Sequence, residues 1–181
     1  MDTYKLKWTQ LQQEIFRLLC VKSGKRLNQR EIAKLLGVSP TSIAKSLPRL
    51  KKENLISVEK SKSMNLTLIE LNRDNEKAME LKRVENLRTI YESDIVNFLE
   101  DNLPGCTIIL FGSFSRGDDI SDSDIDIAVI GTKEKEISLE RFERVLEKTI
   151  NLNFYKTLKD IHKHLRENIL NGIVLRGGIE L

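Results

Sequence analysis

The sequence has few of the residues that would place it in a disulfide framework, a zinc site or a membrane. Cys20 and Cys106 are its two cysteines, and we interpret them as reduced core residues of a cytoplasmic protein. The two histidines form no zinc-ligand pattern with them. No apolar run approaches the roughly 20 residues that span a bilayer, and the N-terminus lacks the apolar stretch of a signal peptide. With 40% hydrophobic and 31% charged residues, the composition indicates a soluble globular protein.

The charge of the 181-residue chain is divided unevenly. Residues 1–72 hold 14 Lys and Arg against 6 Asp and Glu, a net charge of +8, and residues 73–181 hold 16 against 21, a net charge of −5. The total of +3 hides this difference. A basic first part joined to an acidic second part indicates a polyanionic partner for the first part.

Three helices are predicted at the start of the chain. Apolar residues recur at helical spacing from Leu11 to Leu19, which predicts a first helix that ends at Gly24. A capping-box pattern at Asn28 predicts the start of a second helix. Ser39, with a proline directly after it, is a typical N-cap for a third. The short connection between the second and third helices is typical of a helix-turn-helix.

Two alternating runs, residues 56–59 and 66–71, predict a β-hairpin with a polar loop between them. Three helices followed by a hairpin make a winged helix-turn-helix. Residues 29–39 and 50–56 resemble the winged-helix domains of bacterial and archaeal transcription regulators, and the resemblance covers about residues 9–72.

The third helix is expected to enter the major groove of DNA, as the second helix of a helix-turn-helix does. Lysines in the hairpin loop are suited to the neighbouring phosphates. A basic face that contacts another protein is the alternative. The predicted DNA-binding residues are Thr41, Ser42, Lys45 and Arg49 on the helix, where Ser46 is also expected to be exposed, and Lys60 and Lys62 in the wing.

Residues 73–102 lack glycine and proline and carry apolar residues every three or four positions. This pattern predicts one long helix, or two helices joined near Ser93, that connects two domains. The face from Leu81 to Ile95 is a candidate homodimer contact.

The most informative stretch follows this connector. An apolar strand over residues 106–111 leads into the turn Gly112-Ser113, and a second apolar strand carries Asp124 and Asp126 on one face. Two adjacent carboxylates repel each other unless a cation lies between them. A Gly-Ser turn offers backbone N–H groups and a hydroxyl to an anion. The pattern predicts a site for a metal ion and a triphosphate.

These residues, with Arg116-Gly117 between them, resemble the signature of the DNA polymerase beta-type nucleotidyltransferases, above all the minimal nucleotidyltransferase domains of archaea and bacteria. The resemblance implies transfer of a nucleoside monophosphate from an NTP, with ATP expected, to an acceptor hydroxyl, with Mg²⁺ or Mn²⁺ as cofactor. The implied roles are triphosphate binding by Gly112, Ser113 and Arg116, and catalytic metal binding by Asp124 and Asp126.

The predicted architecture is α+β, with a winged helix-turn-helix in residues 1–72, a helical connector in 73–102 and a small mixed-sheet nucleotidyltransferase domain in 103–181. In the last domain we expect a helix over residues 139–148, with Phe142, Val145 and Leu146 facing inward. A third strand over 150–155 and a final helix over 158–170 follow.

The chain departs from the family at the third strand, where the family places a third carboxylate. Asn151 or Asn153 takes that place here, and an amide binds cations less strongly and cannot act as a base. Acceptor activation is therefore the weak step. Three interpretations stay open. The first is an active nucleotidyltransferase, with an acceptor protein or a small molecule supplied by a partner. The second is a transcription regulator whose second domain senses nucleotide, and the third is an antitoxin-type nucleotidyltransferase with a helical toxin as its partner.

Overall fold

A computed structural model describes residues 7–60 and 66–179 of the chain. The chain divides into two compact units between Lys82 and Arg83. This division falls within the stretch predicted as the helical connector. In the described part of the chain, no helix is both long enough and apolar enough to cross a membrane.

The first unit is a winged helix-turn-helix, as predicted. Three helices accompany a three-stranded antiparallel sheet of order β1-β3-β2, in which the predicted hairpin pairs Val58 with Ile69. The short β1 was not predicted, and the hairpin loop 61–65 lies outside the described residues. The elements are α1 (Gln10–Val21), β1 (Leu27–Asn28), α2 (Gln29–Leu36), α3 (Pro40–Lys52), β2 (Ile56–Lys60) and β3 (Thr67–Leu71).

Side-chain caps begin the helices of this unit where the sequence predicts. The Asn28 side chain accepts from the backbone N–H of Glu31, and the Glu31 carboxylate accepts from the backbone N–H of Asn28 at 2.7 Å. Ser39 caps α3 through the backbone N–H of Ser42. Each such cap contributes about 1 kcal/mol. The helix α1 ends at Val21, before the predicted stop at Gly24.

The apolar faces of the three helices meet the inner face of the small sheet. The largest fully buried side chains of this core come from every helix and from both hairpin strands, as a winged helix requires. They are Ile15, Phe16, Leu19, Ile32, Ile43, Leu50, Leu55, Ile56 and Ile69.

The second unit is built on a four-stranded mixed sheet of order β6-β5-β4-β7. The strand β4 is antiparallel to β5 and β7, whereas β5 and β6 are parallel. The elements are α4 (Glu76–Glu92, which begins in the first unit), α5 (Ile95–Asn102), β4 (Thr107–Phe111), α6 (Gly112–Arg116), β5 (Ile125–Ile130), α7 (Glu140–Leu146), β6 (Ile150–Tyr155), α8 (Lys163–Leu170) and β7 (Ile173–Arg176).

Both faces of this sheet are buried. Alternate residues of β4 point to opposite faces, so that Ile108 and Leu110 join the core formed with α5 and α7, and Ile109 and Phe111 join a second core with Ile169 of α8. A sheet covered on both sides holds the ends of its strands in a fixed register, and the candidate site lies at one such end.

Four details of the second unit differ from the predictions or decide between them. The connector is two helices, broken where Asp94 adopts a φ of +64°. Val145 is 69% exposed, so its inward prediction is wrong; Phe142 and Leu146, four residues apart, form the buried stripe. The predicted final helix is interrupted, because a 3-10 turn at Leu158–Asp160 precedes α8. The strand β7 was not predicted.

Candidate functional site

The Gly-Ser turn and the two carboxylates meet at one end of the sheet. Phe111, the last residue of β4, pairs with Asp126 of β5, so the chain leaves β4 beside that carboxylate. Gly112 follows with a φ of +76°, and a Cβ atom built there would lie 2.6 Å from Oδ2 of Asp126. Only glycine fits this backbone conformation and this close approach. The backbone of the turn therefore lies directly against the carboxylate.

A third polar side chain completes this end of the sheet. Asn151 of β6 pairs with Asp126 in the parallel register. Its Nδ2 atom lies 3.3 Å from Oδ2 of Asp124 and 3.3 Å from Oδ1 of Asp126. Asn153 pairs with Ala128 instead and donates to the backbone carbonyl of Asn151. Of the two asparagines considered from the sequence, it is Asn151 that lies between the carboxylates.

The donor set of this site suits one hard cation. Asp124 is exposed and Asp126 is half-buried, and each carboxylate has more lone pairs than a single amide group can satisfy. Magnesium is commonly held by one or two carboxylates, with phosphate oxygens and waters filling its other positions. Among the residues that the structure describes, no cluster of three His, Cys, Asp or Glu side chains is arranged to hold a metal.

A buried lysine supports the loop that leads to the carboxylates. The side chain of Lys148 is 5% exposed, and its Nζ donates to the backbone carbonyls of Ile120 at 2.7 Å, Ser123 at 3.0 Å and Ser121 at 3.3 Å. It also pairs with Asp119 at 3.4 Å. Lys148 was not predicted from the sequence, because its carbonyl partners lie 25 to 28 positions away and no local spacing reveals such contacts.

Asp119 has a second partner in α4. The Nδ2 group of Asn86 donates to Oδ1 of Asp119 at 2.7 Å and to the backbone carbonyl of Phe114 at 2.9 Å. Asn86 and Asp119 are both buried. Buried polar groups need hydrogen-bond partners, and Asp119 has them in Asn86 and Lys148. This network holds the end of α6 and the following loop together.

Arg116, the predicted phosphate ligand, lies at the end of α6. Its side chain is half-exposed, and its Nε donates to Oδ2 of Asp118 at 3.1 Å. A terminal nitrogen donates to Oδ1 of Asn168 at 3.2 Å. Two hydrogen bonds thus hold the guanidinium toward its own loop and α8, and its role with a phosphate stays a prediction.

The structure separates the predicted DNA-binding residues of α3 into two groups. Thr41 and Lys45 are exposed. Ser42 is half-buried, and its hydroxyl lies 2.9 Å from that of Ser39. Ser46 is buried and donates to the carbonyl of Ser42, so the expectation that it is exposed is wrong. In the wing, Lys60 is exposed at the end of β2, and Lys62 lies outside the described residues.

Arg49, the last predicted DNA contact on α3, is held by Glu53. Glu53 also accepts from the Trp8 indole and pairs with Lys7 at 3.1 Å and Lys77 at 3.3 Å. Burial by itself raises the pKa of Glu53, but the hydrogen bonds from Trp8, Lys7 and Lys77 outweigh it and hold that pKa at about 2, against an ordinary 4.5. Arg49 therefore belongs to a structural ion cluster as well as to the exposed face of α3.

Comparison with known families assigns both halves of the chain. Residues 92–175 match the family model of the nucleotidyltransferase domain. The second unit carries a nucleotidyltransferase domain. Residues 10–65 match the model of bacterial regulatory proteins of the gntR family, so the first unit is a winged helix of a DNA-binding regulator type. The site residues from Gly112 to Asn151 all lie in the range matched to the nucleotidyltransferase domain. No curated protein sequence matches the chain.

Several solved structures of regulators are similar to part of the chain. The adhesin competence repressor AdcR of Streptococcus pyogenes is 24% identical with a TM-score of 0.42, over 53% of this chain and 68% of that one. ZitR of Lactococcus lactis, a zinc-responsive MarR family member, is 21% identical with a TM-score of 0.42, over 56% and 67%. A structure of a Lactococcus lactis ZitR mutant in complex with DNA is 21% identical with a TM-score of 0.42, over 57% of this chain and 68% of that one.

Proposed function

We propose that the protein is a DNA-binding nucleotidyltransferase that moves a nucleoside monophosphate from an NTP, with ATP expected, to an acceptor hydroxyl in the presence of Mg²⁺ or Mn²⁺. The observation that carries this proposal is the close approach of Gly112 to the Asp126 carboxylate, which leaves no room for a Cβ atom at Gly112. It joins an anion-binding turn and a cation-binding pair of carboxylates in one site, as a metal-bound triphosphate requires.

Each residue of the site has a simple role in this proposal. The carboxylates of Asp124 and Asp126 hold the cation, and the start of α6 at Gly112 and Ser113 presents N–H groups and a hydroxyl to the phosphates. When bound, the cation neutralises charge on the phosphate oxygens. The acceptor oxygen forms its bond to the α-phosphorus as the bond to pyrophosphate breaks, and the hydroxyl proton leaves to a base. Asn151 cannot be that base.

Asn151 favours a second candidate function, a winged-helix regulator that senses nucleotide without transferring it. The amide lies 3.3 Å from each carboxylate, in the place where the family resemblance implies a third carboxylate. Binding of an NTP needs the turn and the two aspartates, whereas transfer also needs removal of the acceptor proton. The turn and the two aspartates support the first requirement, and an amide in place of a third carboxylate weighs against the second.

The experiment that tests the proposal is label transfer from α-labelled NTPs with Mg²⁺ or Mn²⁺, with host extract as the source of acceptors. The full chain is compared with the double variant Asp124→Asn, Asp126→Asn. Asp122→Asn is the matched control, because Asp122 is an exposed carboxylate of the same loop. Label on an acceptor with the unmodified chain and with Asp122→Asn, but not with the double variant, supports transfer.

The two candidate functions give different results in this experiment. Nucleotide binding that the double variant loses, without label on any acceptor, supports the regulator, and DNA affinity that changes with nucleotide completes that case. Absence of both label and nucleotide binding in the full chain would refute both candidates.

A further inference from the structure

The ammonium group of Lys148 is enclosed by the loop that precedes the carboxylate site. An ammonium has three N–H donors, and the carbonyls of Ile120, Ser121 and Ser123 lie between 2.7 and 3.3 Å from Nζ. The Phe114 ring lies beneath it, 5.8 Å from its centroid. The Lys148 side chain is 5% exposed, and its ammonium group is directed to the loop.

The peptide groups on both sides of Asp124 depend on Lys148 and its neighbour. The carbonyl of Ser123 accepts from the Lys148 ammonium at 3.0 Å, and the N–H of Ile125 donates to the carbonyl of Thr149 at 2.9 Å. The backbone of Asp124 is therefore fixed from either side by two consecutive residues. Asp119 balances the charge of the ammonium and is held in turn by Asn86.

We infer that Lys148 is a positioning residue that acts as a built-in monovalent cation: it organises the carbonyls of residues 120–123 and thereby places Asp124 for cation binding. Several backbone carbonyls turned toward one positive charge are also how proteins bind potassium. An ammonium or potassium ion should therefore occupy the space left when the Lys148 side chain is removed. Only the consequence for divalent-cation binding rests on the proposed function; the organisation of the loop does not.

The test uses the full chain with Lys148→Ala and two measurements, amide hydrogen exchange of residues 118–124 and Mn²⁺ binding followed by electron paramagnetic resonance. We expect exchange in the loop to rise and Mn²⁺ affinity to fall by between about 10- and 100-fold, the usual loss when a residue that supports metal ligands is removed. Ammonium or potassium chloride should restore both, whereas tetramethylammonium chloride at the same ionic strength should restore neither.

The matched control is Lys135→Ala. Lys135 also donates to a backbone carbonyl, that of Asn102 at 2.9 Å, but it is exposed. This variant should exchange and bind Mn²⁺ like the unmodified chain. If Lys148→Ala does not fold, Lys148→Gln, which keeps N–H donors without the charge, takes its place and should show raised exchange in the loop.

Each result decides the inference. Unchanged loop exchange in the Lys148 variants would overturn it, and so would raised exchange in Lys148→Ala that ammonium and potassium fail to reverse, since that is the behaviour of a residue needed only for packing. If the unmodified chain binds no Mn²⁺ even in the presence of NTP, the proposed function fails while the exchange measurement still decides the role of Lys148.

Discussion

Replacement of Asn151 by aspartate is the most direct way to ask what this site lacks. The amide nitrogen of Asn151 lies 3.3 Å from one oxygen of Asp124 and 3.3 Å from one oxygen of Asp126. Asn151→Asp removes both hydrogen bonds and brings a third negative charge to the same place. At about 3.3 Å, one pair of like charges repels by roughly 1 kcal/mol in water and about 5 kcal/mol at an effective dielectric constant of 20, so the two pairs together give limits of roughly 2 and about 10 kcal/mol.

The partial exposure of the site places the expected cost between these limits. Asp124 is exposed and Asp126 is half-buried, so we expect Asn151→Asp to lower the free energy of unfolding by about 2–3 kcal/mol without divalent cations. A bound cation reverses the sign of this effect, because three carboxylates attract it more strongly than two. The variant should therefore gain more thermal stability from Mg²⁺ or Mn²⁺ than the unmodified chain does.

Thermal unfolding with and without Mg²⁺ measures this difference, and label transfer measures its consequence. A restored carboxylate should raise transfer by about 10²–10⁴-fold if the missing base limits the reaction. Asn153→Asp is the matched control, since Asn153 lies on the same face of β6 but pairs with Ala128. Equal stabilisation by Mg²⁺ in the unmodified chain and in Asn151→Asp would refute the placement of Asn151 beside the cation.

Three further predictions concern single side chains. Gly112→Ala should lower the free energy of unfolding by about 1–3 kcal/mol and abolish Mn²⁺ binding, because the added Cβ would lie 2.6 Å from Oδ2 of Asp126. Urea unfolding and Mn²⁺ titration measure the two effects, and normal Mn²⁺ affinity in the variant would contradict the prediction. Lys45→Glu should weaken DNA binding in gel-shift assays and reduce the salt dependence of that binding, without changing the melting temperature. Arg49→Glu should weaken DNA binding and also lower the melting temperature, because Arg49 pairs with Glu53. Equal melting temperatures for the two variants would contradict the structural role of Arg49. The pKa of Glu53 falls from 4.5 to about 2 on folding, so the contribution of this carboxylate to the free energy of unfolding is present above pH 4.5 and is lost as the pH falls toward 2, by at most about 3 kcal/mol. Urea unfolding at pH 5 and pH 3 should show a smaller loss of stability in Glu53→Gln than in the unmodified chain.

The elements that sequence reasoning predicted well are those that local patterns specify. The capping box at Asn28 needs residues three apart, and Ser39 with its following proline is sufficient to start α3. The same holds for Gly112, since glycine in a positive-φ turn after a buried strand is a local signal. Such features could be predicted without knowledge of which strands pair.

Other features depend on contacts between distant parts of the chain. The choice between Asn151 and Asn153 depends on the parallel register of β5 and β6, which local spacing does not determine. The role of Lys148 depends on carbonyls more than 20 positions away. The strand β7 has four residues, too few for periodicity to separate it from a loop. Val145 lies three residues after Phe142, a spacing that fits a helical face as well as the spacing of four at which Leu146 is buried, so the pattern alone could not separate the two.

The asparagine also affects how the site behaves before any ligand binds. In the absence of a cation, two carboxylates at the end of a sheet repel each other, and the Asn151 amide lessens that repulsion by donating to both. A cation that binds between the carboxylates competes with those two hydrogen bonds, which lowers its affinity compared with a site of three carboxylates. Under the proposed function, the site would therefore favour a cation that arrives together with a nucleotide, whose phosphate oxygens complete the coordination, over a cation alone. We therefore expect Mn²⁺ to bind the unmodified chain weakly without NTP and more tightly with it, and Asn151→Asp to remove much of that dependence. Mn²⁺ affinity that NTP leaves unchanged would show that the carboxylates and the Gly-Ser turn do not act as one site.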